Sequence, residues 1–381
     1  MVGLSGGVDS SVTACLLQAK GYDVIGVHMR FWAEDKGENA VSTPENKCCT
    51  VAGLTRALFV ARKLNIPLLI LNFEKEFREK VVDTFIENCQ NCLTPNPCIE
   101  CNRSIKFGLF LDKMKELGAD YLATGHYARI KVTGRKMYTL HAAKDPLKDQ
   151  SYFLYTLTAE KLRQILFPLG GMKKTKVREL AREFGIDEIN DQKESQDLCF
   201  LPGNETGPFL RKYMKDKRYL KPGPILTAAG RCIGTHGGLP FYTIGQRKRL
   251  GIGGIKDMPG QEKNPWYVVK TDGRKNALIV GHETELYSDG AVLRELTFVD
   301  GKMPKKDINI TAKIRFRAPA VPAVLRIAVS RGKGYRGKRS HGKNPEPRAE
   351  IIFQKKQRAV TPGQSVVFYD GDKVLGGGII V

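Results

Sequence analysis

The segment Ser5-Gly6-Gly7-Val8-Asp9-Ser10 decides the fold prediction, because it joins a short apolar stretch to a segment with helical periodicity over 10–20. Two successive glycines let the backbone turn sharply and direct N–H groups at an anion. The helix adds the positive end of its dipole, and the serine hydroxyls can donate to phosphate oxygens. The segment predicts a nucleotide-phosphate site in which Asp9 holds Mg²⁺. The alternative is a glycine-rich turn that only caps a helix.

Strand-like and helix-like segments alternate after this loop, which predicts a doubly wound parallel sheet with its ligand site at the carboxyl ends of the strands. The predicted strands are 23–29, 67–72 and 120–124, and the predicted helices are 51–64, 74–88, 103–117, 148–166 and 175–184. The first strand comprises only 2–4, which is short for the centre of a sheet. We therefore expect a start codon upstream of Met1 or a trimmed chain.

Glycine and proline clusters break the chain into short pieces after about Gly203, and short alternating segments separated by turns follow from about Pro265. The fold class predicted is α/β with three domains. The domains are an N-terminal nucleotide-binding domain over 1–204, a small α+β central domain over 205–270 and a C-terminal β-barrel over 271–381.

The charge is strongly positive, since 62 Lys+Arg and 40 Asp+Glu leave a net charge of +22. Residues 301–381 hold 18 Lys+Arg and 5 Asp+Glu, a net +13, and 331–348 form a predicted flexible basic loop. This concentration favours a nucleic-acid partner over an anionic membrane surface or a merely solvated basic face. No apolar run is long enough to span a membrane and no signal peptide is recognisable, so we expect a cytoplasmic protein. We also expect the protein to be a monomer.

Nine cysteines in a reducing compartment favour metal binding or redox chemistry over structural disulfides. Cys89-x-x-Cys92 and Cys98-x-x-Cys101 are five residues apart, a paired pattern typical of metal sites, although the gap is short for a zinc ribbon. Cys199 lies between Leu198 and Phe200, where a small buried apolar residue is the alternative to a reactive thiol.

Sequence blocks along the whole chain carry a resemblance to a known family. They are Thr94-Pro-Asn-Pro-x-x-x-Cys101-Asn-x-x-Ile-Lys-Phe107, Ala123-Thr-Gly-His-Tyr127, Lys148-Asp-Gln-Ser-Tyr-Phe-Leu154, Tyr242-Thr-Ile-Gly-Gln-Arg-Lys248, Ala359-Val-Thr-Pro-Gly-Gln-Ser365 and Leu375-Gly-Gly-Gly-Ile379. With the first loop, they resemble the tRNA-specific 2-thiouridylases of the PP-loop ATP-pyrophosphatase group. The resemblance implies a sulfurtransferase that uses ATP and Mg²⁺ on the wobble uridine of tRNAs for Lys, Glu and Gln.

The resemblance also implies a role for individual positions. Cys101 matches the nucleophile and Cys199 matches the persulfide-bearing cysteine. The persulfide sulfur is supplied by a persulfide protein or a cysteine desulfurase. A disulfide between Cys101 and Cys199 follows release of the sulfur. ATP-contacting positions are Gly3, Leu4, Ser5, Gly6, Gly7, Val8, Asp9, Ser10, Met29 and Gly125. Target-base and tRNA-contacting positions are Asn96, Pro97, Cys98, His126, Lys148, Asp149, Gln150, Arg315, Phe316 and Gln364.

Two positions depart from the family pattern. Cys98 stands where many relatives have Asp, so Cys98, Cys101 and Cys199 could instead ligate a [4Fe–4S] cluster. Phe316 stands where Tyr is common and would keep base stacking without a hydroxyl contact. Cys48, Cys49, Cys89 and Cys92 match no catalytic position.

Two other functions compete with thiolation. Lysidine, NAD and GMP synthetases share the phosphate loop, but they need an amine site rather than two distant reactive cysteines. A zinc-bearing RNA-binding protein could use Cys89, Cys92, Cys98 and Cys101, but this leaves the phosphate loop and Cys199 unexplained.

Overall fold

The computed structural model describes residues 1–34, 46, 50–134, 136–189, 198–201, 205–252, 265–328 and 348–381. Cys48, Cys49 and all of the predicted basic loop except Arg348 lie outside the described residues. No helix in the described ranges is both long enough and apolar enough to cross a membrane.

The N-terminal domain contains a five-stranded parallel sheet, as predicted. The order across the sheet is Leu68–Asn72, Gly26–Arg30, Val2–Gly3, Leu122–Ala123 and Ile165–Leu166. The two-residue strand Val2–Gly3 occupies the centre, and the chain order reverses between it and Leu122–Ala123. Parallel sheets bind ligands at such a reversal, outside the carboxyl ends of the strands.

Helices cover this sheet near the predicted positions: Val8–Ala19, Val51–Lys63 and Lys174–Glu183. Two longer helical runs extend over 74–90 and 97–116, and each contains a π-helical segment, Arg78–Asp83 in the first and Cys101–Leu109 in the second. The second run carries Cys101, the predicted nucleophile, and for that prediction it is called the catalytic helix below. π-helical turns are rare and often coincide with functional sites.

The predicted helix over 148–166 is wrong. This segment forms a 3₁₀ turn at Ser151–Leu154, one helical turn at Ala159–Leu162 and the edge strand Ile165–Leu166. The Asp149 carboxylate accepts the backbone N–H groups of Ala143 and Ser151, and such side-chain bonds compete with a helix.

The central domain contains a four-stranded sheet and the helix Thr206–Tyr213. Its strands are Gly223–Thr227, Cys232–His236, Tyr267–Asp272 and Ala277–Gly281.

The C-terminal domain is a closed β-barrel, as predicted. Six antiparallel strands close it: Tyr287–Phe298, Arg348–Arg358, Val321–Ala328, Ile308–Lys313, Ser365–Asp370 and Lys373–Ile380. The first strand pairs with the last to complete the barrel. An N-terminal hairpin that the sequence analysis missed, Ala128–Thr133 and Met137–Ala142, extends the barrel sheet through the pairing of His141 with Lys373. The N-terminal domain and the barrel therefore share one sheet.

Candidate active site

The phosphate loop follows the central strand Val2–Gly3, with Gly7 preceding the helix Val8–Ala19. Gly6 has φ +78°, and a Cβ there would lie 2.1 Å from the carbonyl oxygen of Gly53, so only glycine fits. Arg56 Nε donates to Gly6 O at 2.8 Å. The Ser10 hydroxyl donates to Gly7 O at 2.9 Å. These contacts fix the loop in the tight turn that a phosphate cradle requires.

Asp9 lies at the start of this helix and is held by two residues that the sequence analysis missed. Lys174 Nζ donates to both carboxylate oxygens, at 2.6 and 2.7 Å, and the Tyr127 hydroxyl donates to Oδ1 at 2.7 Å. The Lys174 side chain is only 8% exposed, whereas that of Asp9 is 31% exposed. The sequence holds no local signal for Lys174, because a lysine in the first turn of an amphipathic helix is ordinarily exposed and its burial is seen only in the structure.

Gly125 follows the strand Leu122–Ala123, on the other side of the chain reversal. A Cβ on Gly125 would lie 2.8 Å from the carbonyl carbon of Asp9 and 2.9 Å from the backbone nitrogen of Ser10. The two strand ends therefore meet at the phosphate loop without room for a side chain.

Gly125→Ala is expected to displace the phosphate loop, because the new methyl group would meet backbone atoms that cannot rotate away. We expect about a tenfold higher KM for ATP, in line with the cost of overpacking. ATP titrations with steady-state kinetics measure this effect. Gly171→Ala is the control, because a Cβ there meets nothing within 4 Å. An unchanged KM for ATP in Gly125→Ala would contradict this assignment.

The other predicted ATP positions line the same end of the sheet. A Cβ on Gly3 would lie 3.4 Å from the Met29 methyl carbon, so these two residues are adjacent. Leu4 is buried, and its carbonyl oxygen lies 2.8 Å from Nδ1 of His28. The glycine loop and the start of the 12-residue helix fit the phosphates of a nucleoside triphosphate. One carboxylate, that of Asp9, is enough for Mg²⁺, since Mg²⁺ in such sites takes most of its ligands from phosphates and water.

Cys98 and Cys101 lie in the first turns of the catalytic helix. Asn96 precedes the helix and Pro97 is its first residue, a position where proline's fixed φ is favourable. Cys98 is exposed and Cys101 is buried. Asn102 is also buried, and its Nδ2 donates to Phe153 O at 3.2 Å. The helix therefore carries one thiol at the surface and one against the core.

Cys199 is half-buried and packs against the apolar cluster that contains Cys101. Its neighbour Phe200 contacts the rings of Phe85 and Phe77, with ring centroids 5.4 and 6.1 Å apart. The fold therefore brings the segments of Cys101 and Cys199 to one cluster, although they are far apart in sequence.

Cys89 and Cys92 are poorly suited to nucleophilic chemistry. Burial raises the pKa of Cys89 to about 12 and that of Cys92 to about 11, so both are thiols at neutral pH. Within the described ranges, no three His, Cys, Asp or Glu side chains are grouped as metal ligands. Cys98, Cys101 and Cys199 are therefore not arranged here as a ligand set for a cluster.

The predicted tRNA-contacting residues fall into two groups. The first group, His126, Asp149 and Gln150, makes contacts inside the N-terminal domain. Burial between Phe107 and Phe167, with the Lys106 charge as the lesser cause, lowers the pKa of His126 well below its usual value. Internal contacts also engage Asp149, described above, and Gln150, whose side-chain oxygen accepts from Tyr127 N.

The second group, Arg315, Phe316 and Gln364, belongs to the barrel and lies near the N-terminal domain. Arg315 is exposed, and the Phe316 ring lies 4.4 Å from that of Phe153. The Gln364 side chain donates to Thr94 O at 2.8 Å. Lys148 is half-buried in the turn before the 3₁₀ segment.

Three sequence profiles match successive parts of the chain. Sequence profiles described as "tRNA methyl transferase HUP domain", "tRNA methyl transferase PRC-barrel domain" and "Aminomethyltransferase beta-barrel domain" match residues 1–203, 208–282 and 339–380. Among solved structures, an NMN synthetase from Francisella tularensis is 18% identical with a TM-score of 0.31, and covers 51% of this chain and 64% of its own.

Curated relatives match over the full length. The tRNA-specific 2-thiouridylase MnmA of Geobacter metallireducens is 40% identical over 380 residues, covering 100% of this chain and 96% of the relative. A second, from Clostridium beijerinckii, is 39% identical over 380 residues, covering 100% and 98%. On this identity and coverage, the chain belongs to the tRNA-specific 2-thiouridylase family.

Proposed function

We propose that this protein is a sulfurtransferase that replaces the C2 oxygen of a tRNA uridine by sulfur at the expense of ATP. The substrate uridine is the wobble base of tRNAs for Lys, Glu and Gln, and the products are 2-thiouridine, AMP and pyrophosphate. The observation that carries the proposal is the packing of the Cys101 and Cys199 segments on one apolar cluster. The phosphate loop and the family membership support it.

The phosphate loop binds and orients the nucleotide in this proposal. Bound ATP supplies an adenylyl group that converts the poor C2 leaving oxygen into AMP, and pyrophosphate departs. The N–H groups at the start of the helix Val8–Ala19 hold the departing phosphates, and Asp9 holds Mg²⁺. Lys174 and Tyr127 orient the Asp9 carboxylate for that task.

The two cysteines perform the sulfur step. In one route the terminal sulfur of a Cys199 persulfide attacks C2 and displaces AMP, and the Cys101 thiolate then attacks the Cys199 sulfur, which breaks the S–S bond and leaves the terminal sulfur on the uridine. In the other route the Cys101 thiolate attacks the inner sulfur first and releases hydrosulfide, which attacks C2 and displaces AMP. Both routes leave a Cys101–Cys199 disulfide, and two electrons from external thiols restore both thiols. The persulfide comes from a persulfide protein or a cysteine desulfurase, and the protein acts as a cytoplasmic monomer.

The proposed reaction is tested by incubating unmodified tRNA with the enzyme, ATP, Mg²⁺, a reducing thiol, and a cysteine desulfurase with cysteine as the persulfide donor. We expect mass spectrometry of the digested RNA to show one sulfur in place of one oxygen at the wobble uridine. A transcript with cytidine at that position and a reaction without ATP are the controls. Absence of thiolated uridine under both aerobic and anaerobic conditions would exclude the proposed function. Activity that depends on bound iron and sulfide would favour the cluster over the persulfide route.

A further inference from the structure

The barrel loop 361–365 reaches the residues that precede the catalytic helix. Thr94 N donates to Pro362 O at 2.9 Å, and Gln364 Nε2 donates to Thr94 O at 2.8 Å. Both backbone groups of one residue are thus bound by the same loop of another domain. Two such bonds fix the position of Thr94 more tightly than one, because they restrict rotation as well as translation.

Gly363 is shaped for the same contact. It has φ +89°, and a Cβ there would lie 2.7 Å from Thr94 N and 2.9 Å from the Leu93 Cβ. A side chain at this position would therefore separate the two segments. A role in binding RNA alone would not require this close approach of two backbones.

A third connection runs through Tyr152. Its hydroxyl donates to Ser365 O at 2.9 Å. The barrel loop is consequently joined to the N-terminal domain at both ends, at Tyr152 and at Thr94, which lies seven residues before Cys101.

We propose that Gln364 is a positioning residue for the sulfur step. It acts through Thr94 to hold the start of the catalytic helix, so that the barrel orients Cys101 in addition to any contact with RNA. Misplacement of a reacting group by about 1 Å can cost a hundredfold in rate, which gives such a tether a large effect. The activity part of this proposal rests on the proposed function, whereas the accessibility part does not.

Gln364→Glu and Gln357→Glu form a matched pair of variants. Both are isosteric, both add one negative charge to the barrel, and Gln357 also donates only to backbone carbonyls, those of Lys355 and Lys356. Gln364→Glu removes the amide that donates to Thr94 O and places a carboxylate against that carbonyl oxygen. Only this variant is expected to free the segment that carries Cys101.

The first measurement is the rate of Cys101 alkylation by iodoacetamide without ATP or tRNA, read by peptide mass spectrometry. Loss of one hydrogen bond is expected to raise this rate about fivefold in Gln364→Glu, through more frequent local opening. In Gln357→Glu, Cys101 is expected to be alkylated at the same rate as in the wild-type protein. Thermal unfolding of both variants tests whether they fold. If Gln364→Glu does not fold, Gln364→Ala replaces it as the test variant.

The second measurement separates positioning from RNA binding. Positioning predicts that kcat for thiolation falls about tenfold in Gln364→Glu, with the KM for tRNA equal to that of Gln357→Glu. A raised KM with unchanged kcat and unchanged Cys101 alkylation would overturn the proposal and leave Gln364 as an RNA contact only. If the unmodified sequence does not thiolate tRNA, the proposed function fails, and the alkylation rates alone decide whether Gln364 holds the helix.

Discussion

Cys199→Ser is expected to abolish thiolation while leaving ATP-dependent pyrophosphate release in the presence of tRNA. A serine hydroxyl cannot carry a persulfide, whereas adenylation of the uridine oxygen uses the phosphate loop and no sulfur. We expect the thiolation rate to fall at least about a thousandfold, as for removal of a nucleophile that acts as part of a unit. Pyrophosphate release and nucleoside mass spectrometry on the same reaction measure the two steps separately.

Cys232→Ser is the matched control for this prediction, because Cys232 is an exposed cysteine on the central-domain sheet. It is expected to retain full thiolation. Cys101→Ser then distinguishes the two sulfur routes. A reductant-sensitive adduct between Cys199 and the RNA indicates direct attack by the persulfide sulfur, and absence of that adduct indicates release of hydrosulfide by Cys101. Retained thiolation in both Cys101→Ser and Cys199→Ser would contradict the proposed mechanism and favour a synthetase of the same ATP-using group.

Lys174→Met is expected to lower kcat/KM for ATP about a hundredfold, the loss typical of removing one preorganised charged contact. Methionine keeps the length of the side chain but leaves Asp9 without the ammonium group that binds both its oxygens. The Asp9 carboxylate would then rotate away from the geometry that holds Mg²⁺ against the phosphates. ATP-dependent pyrophosphate release under varied ATP concentration measures this loss.

Lys176→Met on the same helix is the control. Lys176 is exposed and, among the described residues, pairs with the surface carboxylates Glu179 and Glu183, and exposed pairs of this kind contribute little to stability. It is expected to behave like the unmodified sequence in the ATP assay. Lys174→Met with unchanged ATP kinetics would show that the Asp9–Lys174 pair is structural.

Much of the site could be predicted from the sequence because its residues are close together in the chain. The phosphate loop depends on two adjacent glycines and the helix behind them, and this local geometry needs no distant partner. Four of the five strands of the described N-terminal sheet were predictable for a related reason, since strands of a parallel sheet are continuous apolar runs, whereas the fifth, Ile165–Leu166, lies in the segment that was predicted as a helix. Even the two-residue strand Val2–Gly3 takes its predicted place, because its neighbours supply the pairing.

The helix predicted over 148–166 shows where local reasoning fails. Tyr152, Leu154, Tyr155 and Leu157 are all buried, and no single helical face could bury them all. They are covered from several directions by other parts of the chain, including the barrel residue Ser365. Tertiary packing and the Asp149 side-chain bonds outweigh the helical pattern.

The phosphate loop, the alternation that makes a parallel sheet, the barrel strands and the two cysteines with a candidate role could be predicted from the amino-acid sequence alone. The folded structure was needed to show that Lys174 and Tyr127 hold Asp9, that the segments of Cys101 and Cys199 share one apolar cluster, and that the barrel loop holds Thr94. The reason is physical. A loop or a strand follows from its own residues, whereas a contact between distant residues depends on how whole elements pack.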